Sequence, residues 1–162
     1  MIKKYNYLKK KGTGNYFAPV TIQEILEAEK LVGFQFPISL KEFWLEIGCG
    51  FFRVNIRGIC CEYFNNEIMH PSMVANVILR KDLSDDYEEA LNSTIILSDV
   101  LDDYLQKDDI PFFEIADSSD FLKMKKNSDS VFRASGRLVE PNFELFIWRM
   151  YHEAADYYLP NE

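Results

Sequence analysis

Few side chains in this 162-residue chain are of a type and spacing that could do chemistry. Its two histidines, His70 and His152, sit in no metal-ligand pattern, and no C-x-x-C accompanies them, so a zinc site is not expected. The cysteines are Cys49, Cys60 and Cys61, an odd number with two adjacent. That argues for reduced thiols in a cytoplasmic setting, serving as small core hydrophobes rather than as a disulfide framework. A Cys–His couple could be imagined from Cys60 or Cys61 with His70, but a cysteine on a buried strand is ordinarily inert. The carboxylate pairs Asp85-Asp86, Asp102-Asp103 and Asp108-Asp109 lack the D-x-D-x-D-G spacing of a calcium loop and read as solvated acids. His152, Glu153 and Asp156 read the same way, as an outer helix face. Walker, G-x-G-x-x-G, H-E-x-x-H and G-x-S-x-G patterns are all absent. No catalytic residue, metal or cofactor is assigned on these grounds.

One acid stands out by position. Residues 20–52 predict two consecutive capped helices. Thr21 and Glu24 form a capping box, Val20 and Ile25 occupy staple positions, Ile22, Ile25 and Leu26 line an inward face, and Gly33 stops the helix. Pro37 lies in the linker, Ser39 and Glu42 suggest a second box, and Leu40, Phe43, Trp44 and Ile47 keep helical spacing up to Gly48. Glu29 falls four residues after Ile25 and so points from the buried face. It is either a perturbed acid in a cleft or a structural carboxylate satisfied by N–H groups of the turns at 34–36 or 49–51. With no His or Lys expected nearby to assist catalysis, the structural role is favoured.

The rest of the chain supplies a sheet and further helices. Phe52, Val54 and Ile56 alternate with polar residues, and a second strand is expected at 59–64, ended by the run 65–67. Pro71 and Ser72 introduce a helix with Met73, Val74, Val77 and Ile78 inward. An acidic helical stretch at 82–92, a short strand at 93–97 and a helical connector follow. Residues 110–126 read as a hairpin whose first strand is central, then comes VFRAS, and Pro141 or Asn142 opens a last helix with Phe143, Phe146, Ile147, Met150, Tyr151 and Ala154 as its stripe and Trp148 beside it. The expected class is α+β: one domain over 20–162 with a mainly antiparallel sheet flanked by helices, preceded by a basic arm at 1–19 that lays Tyr16 and Phe17 on the body.

Charge bounds the partner. The chain carries 18 basic and 26 acidic residues, net −8, yet the first 14 residues hold five lysines and no acid. Half of the acids lie between Lys81 and Asp120. Such a surface repels a phosphate backbone and attracts a basic protein. No apolar run reaches the roughly 18 residues of a membrane span, and the lysine-rich start lacks the apolar segment of a secretory signal. A monomer meets every requirement of the sequence.

Glu29, Gly33, Pro37, Phe43, Gly48 and Gly50, with Trp44 in the second helix, form a pattern that resembles the SUKH superfamily in its Smi/Knr-like branch. IPFFEIADSSDFLKMKK, SVFRAS and PNFELFIWRM are similar to that family's C-terminal half. The usual terminal Asn-Gly-Gly is here Gly48-Cys49-Gly50, and the Gly before the hairpin Asp is Ser119 before Asp120. The resemblance implies a SUKH-like fold and, in bacteria, a non-catalytic immunity protein that neutralises a toxin domain, often a nuclease. Fungal relatives imply the alternative of a regulatory adaptor linked to cell-wall synthesis. A basic toxin would meet Asp82, Asp85, Asp86, Tyr87, Glu88, Glu89, Asp102, Asp103, Tyr104, Asp108 and Asp109.

Overall fold

Thr21 begins the first long helix by closing both halves of its capping box: its hydroxyl oxygen accepts from Glu24 N, and its own N–H donates to Glu24 Oε2 at 2.7 Å. The structure, a computed structural model, describes residues 3–11, 13–56, 59–81, 98–115 and 120–153, with only the backbone of 53–56, 59–65 and 98–99. Helix α1 spans Ile22–Val32 and ends on Gly33 at φ 81, the left-handed stop its sequence announced. Its buried side chains are Ile25, Ala28 and Glu29, whereas Ile22 and Leu26 are exposed. The inward stripe is therefore rotated from the expected one, because α1 lies along α3 and only one flank of the helix meets it.

Helix α2, Ile38–Glu46, departs from its expected cap. Pro37, with φ −53, is the N-cap residue and supplies no side-chain hydrogen bond; the helix starts two residues early and Ser39 falls inside the first turn. The Ser39 hydroxyl donates to Asp129 instead, at 2.6 Å, and Glu42 holds Lys4. Leu40, Phe43, Trp44 and Ile47 are buried as their spacing requires. Trp44 also donates its indole N–H to Met69 O at 2.9 Å, which settles the polar end of a fully buried ring.

Among the described residues, seven strands form one antiparallel sheet in sequence order: β1 (Tyr16–Ala18), β2 (Cys49–Ile56), β3 (Ile59–Ile68), β4 (Asp109–Glu114), β5 (Phe121–Lys125), β6 (Val131–Arg133) and β7 (Leu138–Glu140). β3 continues through 65–67 rather than stopping there, because Asn65, Asn66 and Glu67 pair with Arg53, Phe52 and Phe51 on β2. β4 is fourth of seven and buried along its length, as expected of a central strand. Pro111 is tolerated there because the β4–β5 register shifts between Pro111 and Phe113. Helix α3 (Pro71–Leu79) packs on α1 and β4, α4 (Ser98–Tyr104) precedes β4, and α5 (Phe143–His152) packs on β7 and α2. His70 Nδ1 caps α3 by accepting from Ser72 N, and Asn142 caps α5 by accepting from Leu145 N at 2.8 Å. The helical stretch at 82–92, the strand at 93–97, the hairpin turn at 116–119 and Ala154 lie outside the described residues.

The core is aromatic. Phe43 meets Tyr5, Phe52 and Phe143 with centroids 5.1–6.4 Å apart, and Phe112, Phe113 and Phe146 extend the cluster across the sheet. The edge-to-face pairs among them add roughly 0.5–1.5 kcal/mol each beyond their burial. The stretch before residue 20 contributes to this core: Tyr5 and Leu8 are buried around a short 3-10 turn at Asn6–Lys9. The Glu46 carboxylate accepts the N–H groups of Lys4 and Tyr5 at 2.9 and 2.7 Å. Phe17 on β1 packs against Phe52 at 5.1 Å, while Tyr16 is exposed.

Candidate binding surface

Glu29 is held from two sides. Phe36 N–H donates to its Oε1 at 2.8 Å, and Lys41 Nζ lies 3.0 Å from the same oxygen. The backbone donor is one of those the sequence offered. Lys41 is not: the expectation that no lysine stands near Glu29 is overturned, because α2 folds back and brings Lys41 to a residue twelve positions earlier. The carboxylate thus ties α1 to the linker and to the first turn of α2, and its acceptor oxygen is already committed. The other family-pattern residues are structural as well. Phe43 and Trp44 are fully buried, Pro37 starts α2, and Gly33 ends α1.

Gly48 and Gly50 do something more specific. Their φ angles are 113 and 144, and β1 runs directly over them. A Cβ on Gly48 would lie 1.9 Å from Ala18 O, and one on Gly50 would lie 2.2 Å from Tyr16 O. These glycines let the first strand close on the second.

The acidic candidates separate into three groups. Asp102, Asp103 and Tyr104 are exposed on α4, with Asp102 only loosely paired to Arg80 Nε at 3.3 Å. Asp108 is exposed at a left-handed turn, φ 69. Asp109 does not belong with them. It is buried, its Oδ2 is 2.6 Å from the buried Lys123 Nζ, and it also accepts from Gln106 N at 3.0 Å. Lys123 Nζ further donates to Tyr104 O at 2.7 Å, so this pair fixes the end of α4 to the hairpin. The sequence signal was present in the alternation of FLKMKK, which turns Lys123 to one face with Phe121. The residue it would pair with depended on hairpin register. Asp82, Asp85, Asp86, Tyr87, Glu88 and Glu89 lie outside the described residues, as do the side chains of Cys60 and Cys61.

Two further acids escaped the sequence reading. Glu67 and Glu114 are direct cross-strand partners on β3 and β4. Burial, and then the Glu114 carboxylate beside it, raise the Glu67 pKa from 4.5 to about 7. His70 Nε2 lies 3.4 Å from Glu24 and His152 Nδ1 is 2.9 Å from Trp148 O, both helix-end contacts. Among the described residues, no cluster of three or more His, Cys, Asp or Glu could hold a metal ion.

Residues 19–149 match the model of the SMI1 / KNR4 family (SUKH-1). The chain belongs to this family. The SUKH-1 match runs from just after β1 into α5, so it takes in strands β2–β7 and Gly33, Gly48 and Gly50. The chain is also 32% identical over 116 residues to a protein of Bacillus subtilis (strain 168) named Immunity protein YxxD, covering 71% of this chain and 67% of that one. Among the described residues of this SUKH-1 chain, no helix is long and apolar enough to cross a membrane.

Proposed function

We propose that this SUKH-1 protein is an immunity protein: a non-catalytic binder that neutralises a toxin domain in the cytoplasm. The observation that carries the reading is its similarity to Immunity protein YxxD over most of the chain. The commitment of Glu29 to Phe36 and Lys41 supports a structural rather than a catalytic role for that acid. The partner is a basic toxin, most naturally a nuclease, because an enzyme that grips a phosphate backbone needs a cationic surface. A protein of net charge −8 occupies that surface by complementarity and associates fast. Asp102, Asp103, Tyr104 and Asp108, together with the acids at 82–89, form the steering face, and Asp109 acts only by holding α4 in place.

The test is recovery of partners from the native host with this chain as bait, in low and high salt. The expected result is one basic toxin domain, bound less at high salt, whose expression alone stops growth and whose co-expression with this chain restores it. Reversing Asp102 and Asp103 to lysine is expected to weaken that complex about tenfold at low salt and less at high salt. Recovery of housekeeping proteins only, with no growth protection, would overturn the immunity reading in favour of an adaptor.

A further inference from the structure

The apolar side chains of α2 and α5 are not all spent on the core. Ile38 at the start of α2 and Leu145 and Trp148 on α5 are exposed, by 71%, 36% and 46%, around one open groove of about 710 Å³. Single exposed apolar residues are ordinary, but three on one concavity, one of them a tryptophan, have the composition of a protein-binding anchor site. The polar rim is Glu42, Asp129 and Glu144 against one cation, Lys4. Lys4 Nζ sits 2.9 Å from Glu42 and 3.9 Å from Glu144, so the acids are spaced to share an ammonium. Tyr5 lines the groove, and its hydroxyl is buried without a hydrogen-bond partner among the described residues.

We propose that this groove seats a basic, amphipathic segment of the partner protein. Its large apolar residues lie on Ile38, Leu145 and Trp148, and a Lys or Arg takes the place of Lys4 between Glu42 and Glu144. The inference deepens the toxin-binding reading and rests on it for the partner's basic character. Lys126 N–H donates to Asp108 O at 2.8 Å, which sets the turn that carries Asp129 against the loop that carries Asp108.

Trp148 makes the test direct. The chain has two tryptophans, and Trp44 is fully buried, so a change of emission on adding a ligand reads the groove. The probe is a synthetic amphipathic helix of lysine and leucine, with two companions in which glutamate replaces lysine or serine replaces leucine. A saturable blue shift with the first and none with the companions is expected. Ile38→Ser and Glu144→Gln, both at exposed positions, are each expected to weaken binding about tenfold, and Glu27→Gln on α1 to leave it unchanged. No shift, or an equal loss in Glu27→Gln and Glu144→Gln, would overturn the proposal, since general charge attraction would then account for the signal. The growth assay separates the two readings. Full protection by Ile38→Ser with Trp148→Ser would overturn the groove and leave immunity standing. Selective peptide binding without protection by the parent chain would support the groove and overturn immunity.

Discussion

Replacing Gly48 by alanine tests whether the family-pattern glycines exist to let β1 approach β2. At φ 113 an L-residue is strained by about 1–3 kcal/mol whatever surrounds it. The added Cβ would also lie 1.9 Å from Ala18 O and 2.7 Å from Ala18 C, both backbone atoms. No rotamer change relieves that contact. β1 must retreat by more than 1 Å from overlap of this kind, which breaks the Ala18–Cys49 pairing and loosens Phe17 from Phe52. Backbone strain and forced repacking together give a loss of roughly 3–5 kcal/mol. Gly33 is the control, because it too has positive φ, 81, but a Cβ there meets nothing within 4 Å. Gly33→Ala should therefore show the backbone effect alone, about 1 kcal/mol. Equilibrium urea unfolding followed by circular dichroism gives both values, and amide exchange at residues 16–18 reports whether β1 has detached. If Gly48→Ala lies within about 1 kcal/mol of Gly33→Ala, with β1 still protected, the close-approach argument is wrong.

Lys123→Met should destabilise by about 3–5 kcal/mol because Asp109 is left charged in a buried site, and adding Asp109→Asn should recover much of that in the same unfolding measurement. Glu67 gives a pH dependence of definite sign. Its folded pKa, about 7, lies above its ordinary 4.5, so between these values the folded state binds more protons than the unfolded one and stability rises as pH falls from 7 to 4.5. The gain is of order 3 kcal/mol at 1.36 kcal/mol per pH unit, and Glu67→Gln should flatten that part of the profile and raise stability at pH 8. Glu29→Ala should lose about 2 kcal/mol through the orphaned Phe36 N–H, and Glu29→Gln less, since the amide oxygen still accepts; loss of equal size in both would place the weight on Lys41 instead.

Local rules carried much of this protein. The capping box at Thr21, the stop at Gly33, the buried spacing of Leu40, Phe43, Trp44 and Ile47, and the inward turn of Glu29 each depend on residues within one or two helical turns, so the sequence alone determined them. Composition likewise determined that the chain is acidic, with net charge −8. Tertiary structure decided whatever depends on residues far apart in the chain. The position of α2 against α1 brought Lys41 to Glu29. The register of the β4–β5 hairpin withdrew Asp109 from the surface and gave it Lys123. The pairing of β3 with β4 set Glu67 against Glu114, and the packing of α5 beside α2 left Ile38 and Trp148 around one groove. None of these follows from periodicity, because periodicity says which side of an element is apolar and not which other element arrives there.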